Sequence, residues 1–188
     1  MVRPQSTRRL FFALWPDEKI RREIVERREM LGRGSLKRVP DHNLHLTLLF
    51  LGDQPAERLG EFEAAADAIR GKPCELRLDR FGWFPGAGVL WLGGEAPETL
   101  QALQAALYAR IGELGIDLDR RPFRPHVTLF RKVARRPDLP TPSPLSWPVR
   151  EFALVESIPG QPYRRIGRWS IRGGGVRGSE AQDARRKP

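Results

Sequence analysis

Apolar and polar positions alternate with a period of two over residues 43–51, where Leu44, Leu46 and Leu48 are interleaved with His45 and Thr47. The alternation recurs at residues 126–130, within Pro125-His126-Val127-Thr128-Leu129. A two-residue period is that of a β-strand, whose successive side chains point to opposite faces. Each segment therefore predicts a strand with Leu46 and Leu48, or Val127, on one face and a His and a Thr sharing the other.

The remaining pattern supplies the other elements. A short apolar run at residues 10–14 predicts a buried strand. Pro16 and Asp17 open a helix reaching to about residue 30, with Ile20, Ile24 and Leu31 at helical spacing. Residues 32–40 form a glycine-rich and basic loop. The first motif strand is stopped by Gly52, and a helix over residues 55–70 ends at Gly71 and Pro73. A strand at residues 75–81 follows, then a turn at Pro85-Gly86.

From there the order restarts. Residues 89–92 predict a strand stopped by Gly93-Gly94, and residues 97–112 an amphipathic helix with Leu100, Leu103, Leu107 and Ile111 on one stripe. The second motif strand comes next, then a proline-rich loop at residues 137–148 and two last strands at 151–158 and 164–171. From residue 173 the chain is glycine-rich and polar, and we expect a disordered tail. Leu10 precedes His45 by 35 residues, and Val89 precedes His126 by 37. The matched order of strand, helix and motif strand predicts a pseudo-twofold α+β protein with one His-x-Thr strand on each wall of a cleft.

Two imidazoles and two hydroxyls in one cleft suit acid–base chemistry on a small anion. Imidazole titrates near neutral pH, so one His can activate water while the other protonates a leaving oxygen. Thr47 and Thr128 are placed to donate hydrogen bonds to phosphate oxygens as charge builds on them. Arg131 can hold phosphate or stack on a base. Of Phe11 and Phe12, adjacent on a strand, one faces the core and the other has the cleft available to it. Trp83, Phe84 and Trp91 read as core or lobe-interface residues. A metal is the competing use of histidine, but His42 and His45 lie in a strand-like segment with no Asp, Glu or Cys cluster nearby, so no metal is expected. No glycine-rich loop followed by Lys-Ser/Thr is present, which argues against ATP use.

Composition narrows the setting. The chain has 188 residues, 40% of them hydrophobic and 30% charged, enough for one domain or two joined lobes around a real core. No apolar stretch approaches the ~18 residues of a membrane span. The apolar run after the basic N-terminus is too short for a signal peptide, and the lone cysteine, Cys74, forms no internal disulfide; a cytoplasmic location is expected. The net charge is +10, and residues 120–172 carry twelve Arg and Lys against three acids. Such a basic half suits a polyanion such as RNA, although 28 of the 33 basic residues in the chain are Arg, so a general Arg bias accounts for the charge equally well.

Three segments together resemble the 2H phosphoesterase superfamily, and within it the RNA 2′,3′-cyclic phosphodiesterases, also called 2′-5′ RNA ligases. They are Arg9-Leu10-Phe11-Phe12-Ala13-Leu14, Asn43-Leu44-His45-Leu46-Thr47-Leu48-Leu49-Phe50-Leu51-Gly52, and Arg121-Pro122-Phe123-Arg124-Pro125-His126-Val127-Thr128-Leu129 followed by Arg131. The resemblance covers about residues 8–172. It implies a bilobal α+β fold with antiparallel sheets lining a central cleft and helices outside, and residues 1–172 as a single domain followed by a tail at 173–188. It also implies opening of an RNA-terminal 2′,3′-cyclic phosphate to a 2′-phosphomonoester without metal, ATP or other cofactor, and weak 2′-5′ ligation when an RNA hydroxyl is the nucleophile. By the same resemblance His45 is the proton donor and His126 the acceptor, Thr47 and Thr128 hold the phosphate, and Arg131 and Phe12 lie near the terminal base. RNA is the expected partner and a monomer the expected state. Two alternatives remain at this point: the same chemistry on a small cyclic nucleotide or a 2′-5′ oligonucleotide, and a non-catalytic RNA-binding module.

Overall fold

Strand β1 (Thr7–Leu14) lies between two antiparallel neighbours, β3 (Leu46–Pro55) and β9 (Glu151–Ser157). The structure, a computed structural model, describes residues 6–32 and 36–171; the tail expected at 173–188 lies outside the described residues. The alternation Leu10-Phe11-Phe12-Ala13-Leu14 sorts cleanly: Leu10, Phe12 and Leu14 enter the main core, while Phe11 and Ala13 join a small apolar cluster on the other face with Ala153 and Val155. In β3 the register against β1 shifts between Phe12 and Ala13, where Leu48 and Leu49 are successive apolar residues. A bulge there lets both leucines enter the core and returns Phe50 to the face of Thr47.

The main sheet is eight-stranded, and its path runs β10 (Arg164–Ser170), β9, β1, β3, β7 (His126–Arg131), β6 (Val89–Gly93) and β5 (Arg80–Phe84), with the short β2 (Lys37–Arg38) pairing with the far end of β7. The two motif strands meet at its centre through one paired position, Leu46 with Val127. The sheet is thus two leaves joined at a seam, with one His-x-Thr strand at the seam edge of each. The leaves are interleaved in sequence, because the last two strands return to the first leaf. Glu156 of β9 secures that return by accepting hydrogen bonds from Arg8 of β1 and Arg164 of β10.

Helices α1 (Glu18–Glu29), α2 (Leu59–Asp67) and α3 (Glu98–Gly112) contribute Ile20, Ile24, Phe62, Leu103 and Leu107 to the core formed with one face of the sheet. Asp17 caps α1, its carboxylate accepting from the Ile20 N–H at 2.8 Å. The opposite face of the sheet, at the seam, carries the motif histidines and threonines. The expected α+β architecture with antiparallel strands around a cleft and helices outside is therefore the observed one. No helix among the described residues is long and apolar enough to cross a membrane.

Two expectations are corrected. The strand read over residues 75–81 is two strands: β4 (Cys74–Leu78) belongs to a separate two-stranded sheet, and β5 begins after Asp79 in the main one. The partner of β4 is β8 (Leu145–Val149), inside the segment expected to be a proline-rich loop. Pro148 is tolerated because a strand of a two-stranded sheet has one unpaired edge, and the alternation of Leu145, Trp147 and Val149, all buried, is the signal the prolines masked.

Candidate active site

The site grows from a local device used twice. His45 sits just before β3, and its Nδ1 is 2.7 Å from the carbonyl oxygen of Asn43. His126 opens β7, and its Nδ1 is 2.7 Å from the carbonyl oxygen of Arg124. A carbonyl accepts only, so each Nδ1 carries the proton and donates it, and each neutral ring keeps the lone pair on Nε2. For His45 that nitrogen is 3.1 Å from the Thr47 hydroxyl, which donates to it. The antiparallel register fixed by Leu46 and Val127 sets His45 across from Thr128 and Thr47 across from His126. The two motifs are thereby related about the seam as the sequence repeat predicted.

Several other groups hold this arrangement. The Asn43 side-chain oxygen accepts from the Tyr163 N–H at 2.9 Å, tying the turn before β10 to the residue that orients His45. Behind Asn43, the guanidinium of Arg28 is 0% exposed and donates to the Val39 carbonyl at 2.9 Å and the Asp41 carboxylate at 2.6 Å. A buried arginine whose two terminal nitrogens are held by the chain just before the motif fixes that segment's path.

Each imidazole is enclosed by aromatic rings. Trp15 stacks on His45 at 5.6 Å with 8° between planes, Phe11 lies 4.9 Å away and Tyr163 meets it edge-on at 5.3 Å. Phe84 meets His126 edge-on at 5.1 Å, and Trp91 lies at 6.1 Å. This enclosure has an electrostatic consequence. Burial pushes the His45 pKa down to about 4; the Asn43 carbonyl opposes the shift, and the Arg131 and His126 charges add to it. Burial also lowers the His126 pKa, again against its carbonyl partner and with the help of Arg131. Arg131, at the end of β7, therefore acts on both rings.

Of the residues expected at the site, His45, His126, Thr47 and Thr128 come together at the seam. Phe12 does not. It is 0% exposed and packs edge-on against Phe152 and Trp169 in the core, because it shares parity with Leu10 and Leu14. The ring beside His45 is Phe11. Phe84 and Trp91, expected in the core or between lobes, instead flank His126, whereas Trp83 packs against the core and donates its Nε1–H to the Val133 carbonyl at 3.1 Å. His42 is exposed beside α1 with Glu18 and Arg22, away from the motif rings. Among the described residues no three His, Cys, Asp or Glu side chains are grouped to hold a metal. The sequence reading missed Trp15, Asn43, Tyr163 and Arg28; only Asn43, inside the first motif segment, lay within its reach.

A groove of about 810 Å³ opens at the His126 end of the site, between β6, the start of α3 and residues 122–125. His126, Trp91 and Phe84 line it and His45 does not.

The fold and much of the sequence are shared with known proteins. The chain belongs to the 2′-5′ RNA ligase superfamily, whose sequence profile matches residues 16–160. It is 37% identical over 88% of its length to the RNA 2′,3′-cyclic phosphodiesterase of Thermus thermophilus, covering 91% of that protein. It is 34% identical over 91% of its length to the enzyme of the same name from Escherichia coli, covering 99% of it. The crystal structure of Escherichia coli LigT complexed with 3′-AMP superposes with a TM-score of 0.82 at 32% identity, over 88% of this chain and 99% of that one.

Proposed function

We propose that this protein is an RNA 2′,3′-cyclic phosphodiesterase that opens an RNA-terminal cyclic phosphate to a 2′-phosphomonoester. The observation that carries this reading is the doubled clamp, in which each motif histidine gives its Nδ1 proton to a backbone carbonyl and keeps Nε2 as its reactive nitrogen. His126 Nε2 takes a proton from water as the water oxygen bonds to phosphorus. The P–O3′ bond breaks, and His45 protonates the departing O3′. Once His45 Nε2 carries its proton it no longer accepts from the Thr47 hydroxyl, so Thr47 and Thr128 both donate to the non-bridging oxygens, and Arg131 balances their charge. The two imidazoles supply both proton transfers, so the reaction draws on no metal ion and no nucleotide cofactor. With an RNA hydroxyl in place of water, the same transfers form a 2′-5′ linkage.

The acid role of His45 requires a proton that the empty site disfavours, since its pKa lies at about 4. An anionic phosphate bound beside Arg131 offsets that guanidinium and lies against Nε2, both of which raise the His45 pKa. The acid is thus charged by its own substrate. Residues 1–172 act as one domain, and RNA is the partner, which the basic second half of the chain favours. A complete pair of motifs within one chain supports a monomer, and cytoplasmic RNA is the substrate pool.

The test is incubation of the purified protein, in EDTA and without ATP, with a short RNA ending in a 2′,3′-cyclic phosphate. Release of a 2′-phosphate end is expected. A 3′-phosphate product would reverse the assignment of the leaving oxygen, and no turnover would remove the activity.

A further inference from the structure

We propose that the groove beside His126 is a binding site for the 5′-terminal nucleoside of a second RNA, the one whose 5′-hydroxyl replaces water as nucleophile. This inference rests on the phosphodiesterase reading above and goes beyond it by locating a second polynucleotide. Displacement at phosphorus sets the attacking and leaving oxygens roughly in line on opposite sides. With the leaving O3′ at His45, the nucleophile must approach from His126. The groove opens on that side: it is lined by His126 and not by His45.

Its volume, about 810 Å³, far exceeds what a hydrolytic water occupies and falls in the range of pockets that hold drug-sized ligands. Its walls match a nucleoside joined to a phosphate chain. Trp91 and Phe84, 5.2 Å apart, offer ring faces for a base. Gln101 at the start of α3 donates from Nε2 to the Ala96 carbonyl at 2.8 Å and keeps its side-chain oxygen for base or ribose edges. Arg80, whose Nε pairs with Asp79 at 3.1 Å, and Arg124 keep guanidinium N–H groups for phosphate, and Glu95 is the one acid among the described lining residues. The indole of Trp91 is given its place by two glycines. Gly82 lies opposite it in the β5–β6 pairing, and a Cβ at Gly82 would overlap the ring; a Cβ at Gly93 would lie 2.8 Å from it. Trp91 Nε1 is buried without a hydrogen-bond partner among the described residues.

The step balances. The 5′-hydroxyl proton passes to His126 Nε2, the O5′–P bond forms, the P–O3′ bond breaks and His45 returns a proton to O3′. The products are a 2′-5′ phosphodiester and a free 3′-hydroxyl, and no other reactant is consumed.

The test follows both products from one donor RNA bearing a 2′,3′-cyclic phosphate while the concentration of a 5′-hydroxyl oligoribonucleotide acceptor is raised. The ratio of joined product to 2′-phosphate is read for the wild type and for Gln101→Ala and Arg80→Ala, which cancels any general loss of active protein. We expect saturable joining in the wild type, and about a tenfold rise in the acceptor concentration giving half-maximal joining when both substitutions are combined. An unchanged ratio in the double variant would overturn the assignment. So would equal losses of joining and hydrolysis, which would place the donor strand in the groove. Hydrolysis that millimolar acceptor neither diverts nor slows would overturn it as well. Absence of hydrolysis in the wild type would be a separate result, removing the phosphodiesterase reading on which the proposal stands.

Discussion

Leu46 and Val127 are the paired position at which the two leaves of the main sheet meet, and both side chains are fully buried. Their neighbours on the other face are His45, Thr47, His126 and Thr128. The groups proposed to react are therefore carried on or directly beside strand positions locked by the core, the placement that holds side-chain geometry most tightly.

Replacing either His45 or His126 by Gln removes one proton transfer and leaves that packing in place. Each variant should lose on the order of 10²–10⁴-fold in kcat while keeping the circular dichroism and unfolding midpoint of the parent. Full activity in either would dismiss the two-histidine mechanism.

The pH dependence has a definite sign. Burial lowers both histidine pKa values below the ordinary 6.5, His45 to about 4. One ring must be protonated and the other neutral, and the bell in kcat/KM reports the free enzyme. Its centre should accordingly lie below pH 6.5. The bell in kcat, which reports the bound complex, should lie at higher pH, since the bound phosphate raises both values. Coincident bells would mean that the substrate does not charge its own acid. Arg131→Ala should raise both histidine pKa values in the empty protein, a shift visible in imidazole proton chemical shifts.

Phe11 and Phe12 should separate cleanly on substitution. Phe12→Ala leaves a core cavity and should cost about 3–5 kcal/mol of stability, with little change in the kcat of the molecules that remain folded. Phe11→Leu keeps the small apolar cluster but withdraws the ring from His45, and should change the pH profile and KM. Chemical denaturation and steady-state kinetics on both variants test the division.

Arg28 is a positioning residue acting through Asp41 and Asn43. Arg28→Met retains much of the packing but frees the Val39 carbonyl and the Asp41 carboxylate, at a cost of about 1–3 kcal/mol. The His45 imidazole resonances should broaden or shift in this variant while those of His126 stay in place. Arg28→Lys should not rescue, since an ammonium lacks the planar fork that reaches both acceptors.

Much of this protein was legible in the chain. The period-two runs gave β3 and β7, the spacing of Leu100, Leu103, Leu107 and Ile111 gave the buried stripe of α3, and the repeated order gave the paired site. The failures share a cause: each depends on partners distant in sequence. The break at Asp79 follows from β4 pairing with β8, some seventy residues away, and β5 pairing with β6. Trp15 and Tyr163 reach His45, and Phe84 and Trp91 reach His126, only because strand pairing folds those segments over the seam. Phe12 is the instructive exception. The alternation Leu10, Phe12, Leu14 was local and already assigned it to the core.

The return of β9 and β10 to the first leaf sets a schedule for biosynthesis. A chain emerging from the ribosome has both motif histidines in hand by residue 126, yet β9, Tyr163 and β10 arrive more than twenty residues later. Until they do, β1 presents a bare edge and His45 lacks one wall. The proposed site is therefore incomplete in the nascent polypeptide until β9 and β10 have been made.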